Sequence, residues 1–213
     1  VSDNRPQYTH KSYDTSREHI IRSVENSLQA LHTDFLDLLL IHRPSPLMDP
    51  SEIADAFATL RQQGKVRYFG VSNFTPSQFD MLSTYTELVT NQIQASVLYR
   101  DPMLDGTLDH SLAMGYRPMA WSPLGSGRIF TDLEAEDVQR VRAVAAELAP
   151  KYGDAGLDQL LLAWLQRHPA GILPVLGTAR PERVRDAVAA EQIELSRADW
   201  FKLWEAAAGE EVP

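Results

Sequence analysis

Short apolar runs alternate along this chain with longer stretches whose apolar residues recur every three or four positions. Strand-like runs lie near 35–41, 66–71, 88–93, 117–121 and 172–176. Within the first, Leu36-Asp37-Leu38-Leu39-Leu40-Ile41 shows almost no in/out alternation, as expected of a parallel strand buried on both faces. Pro44 then stops further pairing, with His42 delivered at the strand's carboxyl end.

The gaps carry helical periodicity. Ser16 caps a predicted helix with Ile20, Ile21, Val24, Leu28 and Leu31 as its stripe. Asp49-Pro50-Ser51-Glu52 reads as a capping box with proline in the first turn, leading into Ile53, Ala56, Phe57 and Leu60 and ending at Gly64. Thr75-Pro76-Ser77-Gln78 repeats the device before Phe79 and Leu82. A weaker helix holds Leu108 and Leu112 and stops at Gly115. Two helices are expected at 137–149 and 156–168, with Leu161 and Trp164 inward. Pro181 opens another with Val184 and Val188 inward, and Ser196-Arg197-Ala198-Asp199 caps a last one carrying Trp200, Leu203 and Trp204.

Strand followed by helix, repeated, is the signature of a parallel α/β sheet. Five units are too few for a (β/α)8 barrel, which needs eight. A five-stranded doubly wound sheet could hold five, but no G-x-G-x-x-G turn follows an opening strand, and the chain leads from a polar stretch straight into a helix. The expectation is α/β of the TIM-barrel type with about five of eight strand-helix units, residues 1–213 forming one incomplete domain.

A formal net charge of −9, without a long basic run, argues against nucleic acid or an anionic membrane as main partner. Zero cysteines exclude disulfides and thiolate chemistry and fit a reducing, cytoplasmic setting. No run approaches the ~20 apolar residues of a membrane span. The six histidines are scattered, without zinc-ligand spacing.

Chemistry gathers at the strand exits. His42 ends the first, either as a functional group or as a satisfied structural histidine. The second is Gly70-Val71-Ser72-Asn73-Phe74, where a hydroxyl beside a carboxamide can hold a planar amide or simply shape a turn. Asn91-Gln92 follows Leu88-Val89-Thr90 at the third, and Gln92 could add an amide contact. At the fourth, Trp121 can stack a heteroaromatic ring or pack in the core. Ser122-Pro123-Leu124-Gly125-Ser126-Gly127-Arg128 follows it, either a phosphate cradle or a flexible turn. The fifth, Gly177-Thr178-Ala179-Arg180-Pro181-Glu182-Arg183, puts arginines where a helix start usually has an acidic or hydroxyl cap. A phosphate there, or salt bridges to Glu182 or Asp186, would account for them.

Together these exits resemble the aldo-keto reductases, especially the bacterial oxidoreductase branch, through Leu-Leu-Leu-Ile-His-Arg-Pro at 38–44, Gly-Lys-Val-Arg at 64–67 and Gly-Val-Ser-Asn-Phe at 70–74. The likeness runs from about Tyr13 to Pro213. It implies a (β/α)8 barrel that binds NADP(H) and reduces an aldehyde or ketone, a small carbonyl compound being its partner. His42 would then be catalytic, orienting the carbonyl. Ser72, Asn73 and Gln92 would hold the nicotinamide carboxamide and Trp121 would stack on its ring. Ser122, Leu124, Gly125, Gly127 and Arg128 would line the pyrophosphate path, while Gly177, Thr178, Arg180 and Arg183 would take the 2′-phosphate.

Many relatives carry lysine at the place of Gly177 and asparagine at that of Ala187, which leaves NADH use open beside NADPH. The family's aspartate, tyrosine and lysine lie on segments before the strand ending in His42, and no stretch here matches them. Tyr8, Lys11, Tyr13 and Asp14 are tempting substitutes, but Lys11-Ser12-Tyr13-Asp14-Thr15-Ser16 aligns with the family's stretch downstream of that lysine. The expectation is a chain that lacks its first three barrel units and is inactive by itself, with unpaired strand edges prone to association. Two further readings stand beside this one: a non-catalytic nucleotide-sensing or regulatory subunit on the same barrel, and a sugar-phosphate isomerase or aldolase.

Overall fold

Capping and periodicity place the elements as the chain pattern requires. The structure is a computed structural model and describes residues 12–212. Two compact units result, one ending at Gln92 and the other starting at Ile93.

In the first unit, α1 (Arg17–Leu31) starts at Ser16, whose hydroxyl accepts from the His19 N–H at 3.4 Å. β1 (Leu36–Ile41) leads to α2 (Pro50–Gln62), where Asp49 accepts from the Ser51 N–H at 2.8 Å. β2 (Val66–Ser72) follows, then α3 (Pro76–Ser83), with Thr75 and Gln78 closing a reciprocal capping box. β1 pairs with β2 in parallel, Leu38 opposite Tyr68 and Leu40 opposite Gly70. β2 pairs in parallel with the start of β3 (Asn91–Gln94), Ser72 opposite Gln92.

Phe57 of α2 stacks on Phe69 of β2 with ring centroids 4.1 Å apart, over a core that includes Ile53, Leu60 and Val71. Gly70 permits a close approach: a Cβ there would lie 2.7 Å from the Thr90 carbonyl oxygen and 2.8 Å from Leu40 Cδ2.

The second unit continues β3 into α4 (Thr107–Met114), β4 (Met119–Trp121), α5 (Arg128–Thr131), α6 (Glu136–Leu148), α7 (Leu157–Gln166), β5 (Leu173–Pro174), α8 (Pro181–Ala189) and α9 (Arg197–Ala208). Sheet order is β1-β2-β3 in the first unit and β3-β4-β5 in the second. β4 and β5 are parallel, with Ala120 opposite Pro174.

Trp164, fully buried on α7, stacks on Trp200 of α9 at 4.8 Å and 6°. Each indole N–H donates to the other residue's carbonyl at 2.9 Å, so neither polar group is left unpaired.

Several expectations need correction. β3 begins at Asn91, so Asn91 and Gln92 open that strand instead of following it, and Gln92 is only half-buried. Leu88 and Val89 are half-buried residues on the approach, where the Val89 N–H already bonds the Phe69 carbonyl at 2.8 Å. On α1, Leu31 is exposed, and Leu112 faces outward on α4.

On α8, Val184 and Val188 are exposed, and the helix buries no residue. Gln159 of α7 donates to its Asp186 carbonyl at 3.1 Å, a polar contact where an apolar one was expected. Among the described residues, no helix is long and apolar enough to cross a membrane.

Candidate functional site

At the carboxyl ends of β1 and β2, the first unit gathers three of the predicted residues around Gln92. Ser72 is buried and donates from its hydroxyl to the Gln92 carbonyl at 2.9 Å. The same hydroxyl accepts from Asn73 Nδ2 at 2.7 Å, and that nitrogen lies 3.3 Å from the His42 carbonyl oxygen. The Asn73 N–H donates to the Gln92 carbonyl at 2.8 Å. Asn73 has φ of 60°, the left-handed region that asparagine tolerates better than most residues. The His42 side chain is exposed just past β1. The hydroxyl and carboxamide at the end of β2 are thus tied to the His42 backbone at the end of β1. Inside this cluster the Ser72 hydroxyl proton and the Asn73 Nδ2 protons are engaged, so a planar amide bound there would exchange with these bonds.

The second unit places its predicted residues around one cleft of about 760 Å³. Ser122, Leu124, Gly127, Gly177, Thr178 and Arg183 line it. Gly125 lies within the same loop, where Gly125, Ser126 and Gly127 have φ of 61°, 56° and 84°. The loop closes on itself: the Gly125 N–H donates to the Ser122 carbonyl at 2.9 Å and the Gly127 N–H to the Leu124 carbonyl at 3.2 Å. Gly125 also meets a packing constraint, since a Cβ there would come 2.9 Å from Leu98 Cδ1. Ser126 donates to the Ser122 hydroxyl oxygen at 2.9 Å and closes the loop.

Besides Gly125, three predicted residues stand outside that cleft's lining. Trp121, half-buried, ends β4. Arg128 binds Asp132 at 3.3 Å and Asp137 at 3.2 Å, and these carboxylates raise its pKa. Arg180 has no side-chain cap bond and reaches Glu182 at 2.6 Å, one of the salt bridges foreseen for it.

Sequence reading missed Asp158 and Leu162 of α7, Phe130 of α5 and Asp186 of α8, which also line the cleft. Their positions follow helical periodicity, which does not distinguish a cleft wall from a solvated face. The cleft thus combines one arginine with two carboxylates.

Of the tyrosine and lysine positions weighed in the sequence, Tyr8 and Lys11 lie outside the described residues. Asp14 accepts from the Ser16 N–H at 3.0 Å and pairs with His19 at 3.7 Å, which ties it to the start of α1. The side-chain and backbone bonds from Ser16 lower its pKa.

Parallel strand-helix units with polar groups at the strand ends place this chain among the α/β proteins. The Aldo/keto reductase family model matches residues 7–208, so the chain belongs to that family. It is 46% identical over its whole length to the uncharacterized oxidoreductase YcsN of Bacillus subtilis (strain 168), of which it covers 71%. Over 94% of its length it is 49% identical to the oxidoreductase YdhF of Escherichia coli (strain K12), covering 67% of that protein.

Its structure resembles that of the thermostable aldo-keto reductase Tm1743, solved with the inhibitor epalrestat. The TM-score is 0.79 and the identity 31%, over 90% of this chain and 67% of the other. The fold is accordingly that of an aldo-keto reductase, α/β with parallel strands, consistent with part of a (β/α)8 barrel.

Proposed function

We propose that this chain supplies the cofactor-binding side of an oxidoreductase that reduces an aldehyde or ketone carbonyl with NADPH. The observation that carries the proposal is the bonded turn of Ser72, Asn73 and Gln92, which gathers a hydroxyl and a carboxamide against the backbone of the exposed His42. Bound NADPH supplies the hydride.

On this reading Ser72, Asn73 and Gln92 grip the nicotinamide carboxamide, and His42 donates a hydrogen bond that orients the carbonyl oxygen. Trp121 offers its indole face to the nicotinamide ring. The loop at Gly125–Gly127 lines the pyrophosphate path, and Arg183 with Thr178 takes the phosphate on the adenosine. Arg183 favours NADPH, whereas Asp158 and Asp186 in the same lining oppose a second phosphate charge and moderate that preference. The partner is a small carbonyl compound and the setting cytoplasmic.

The proton needed by the carbonyl oxygen falls to a hydroxyl acid that the family resemblance places on segments without a match in these 213 positions. Binding and turnover therefore separate. NADPH should quench tryptophan fluorescence of this chain, while aldehyde-dependent NADPH oxidation stays at background, because general acid catalysis contributes about 10²–10⁴-fold. A chain that ignores NADPH and instead binds a small sugar phosphate would overturn the reading. Tight NADPH binding by a longer form with the matching segments, still without turnover, would favour the non-catalytic nucleotide-sensing alternative.

A further inference from the structure

The Asn73 turn is held from behind by a residue that the cofactor reading leaves unused. Asn91, at the start of β3, is 1% exposed. Its Nδ2 donates to the Phe74 carbonyl at 2.8 Å, and its Oδ1 lies 3.4 Å from the Phe74 N–H. One carboxamide thus brackets both backbone polar groups of a residue that is itself 2% exposed.

The preceding peptide is fastened too, since the Asn73 N–H donates to the Gln92 carbonyl at 2.8 Å. Between those anchors Asn73 sits at φ of 60°, in the left-handed region. We infer that Asn91 is a positioning residue, locking the Ser72-Asn73 turn so that its hydroxyl and carboxamide are aimed before a nicotinamide arrives. The inference rests on the cofactor reading above and names the residue that prepares its nicotinamide end.

Chemistry at this position is restrictive. Aspartate keeps the acceptor for the Phe74 N–H but turns a lone pair toward the Phe74 carbonyl. Alanine leaves both buried groups orphaned, and a hydroxyl cannot span the two. The consequence belongs to one end of the cofactor. Loss of the bracket loosens residues 72–74, whereas the residues lining the cleft of the second unit lie at other positions in the chain.

The test uses the full chain as wild type, Asn91→Ala and the nearly isosteric Asn91→Asp. Two ligands are titrated: NADPH, and the adenosine bisphosphate half of NADPH, which has no nicotinamide. Hydrogen exchange at Asn73 and Phe74 is followed in parallel. Both variants should weaken NADPH about tenfold and shift affinity for the adenosine bisphosphate by less than about twofold. Both should also exchange the Asn73 and Phe74 amides faster.

Equal losses for the two ligands would mean a merely structural role and overturn the inference. So would unchanged NADPH affinity in a folded variant; if Asn91→Ala does not fold, Asn91→Asp decides. A wild-type chain that binds neither ligand overturns the cofactor reading, and this inference with it.

Discussion

Gly70 and Arg183 show two ways in which single positions carry this molecule. At Gly70, β2 passes close to the Thr90 backbone and the Leu40 side chain. Gly70→Ala should therefore cost about 1–3 kcal/mol in denaturant unfolding, because a backbone oxygen cannot swing aside as a side-chain tip can. Wild-type stability in that variant would remove the packing argument.

Arg183 lines the cleft beside Asp158 and Asp186. Arg183→Ala should weaken NADPH about tenfold and leave NADH nearly unaffected, as comparative titrations would show, since only NADPH brings the extra phosphate. Both residues stood out in the sequence, Gly70 in a strand-end motif and Arg183 at a helix start. Asn91 was visible only as Gln92's neighbour, because its two bonds to Phe74 span 17 positions. Asp158 gave no signal at all, being one acidic residue in the first turn of a helix, where the macrodipole favours such residues anyway.

At the scale of elements, caps and buried stripes were legible because they are local. Ser16, Thr75 and Ser196 each accept from an N–H three residues on, as their places before apolar periodic runs imply. What local pattern cannot supply is the partner of a face, and α8, with its exposed valines, is the case in point.

The start of α9 adds a network of which the spacing announced only the Ser196–Asp199 pair. The Asp199 carboxylate takes bonds from Lys151, from Tyr152 OH at 2.5 Å and from Ser196 Oγ at 2.6 Å. Tyr152 OH in turn accepts from the Ser196 N–H at 2.9 Å. These bonds, Lys151 foremost, lower the Asp199 pKa from 3.8 to about 2.

A depressed carboxylate pKa stabilises the folded state fully above the unfolded value. That contribution fades as pH falls from 3.8 through about 2. Acid unfolding curves of wild type and Asp199→Ala should accordingly converge in that window. At neutral pH the variant should be less stable by about 1–3 kcal/mol. Parallel curves down to the lowest pH would show that the network contributes nothing through ionisation.

For the whole molecule, ligand binding and stability are linked. If the chain binds NADPH only when folded, its melting temperature should climb with ligand concentration, reaching about 2.7 kcal/mol of added stability at a hundred times Kd. A melting temperature indifferent to NADPH would contradict the proposed site.

The sequence alone settled the class of fold, the order of the five strands and of every helix but α5, and the ends of β1 and β2 as places where polar residues appear. Those features depend on hydrophobic period and capping chemistry, which act within a few residues of the chain. Tertiary structure decided that β3 opens with Asn91, that Asn91 brackets Phe74, that α7 lends Asp158 to a cleft wall and that α8 keeps its valines exposed. Each of these depends on which distant backbone or side chain fills the space opposite, and that is set only when the sheet and its helices pack together.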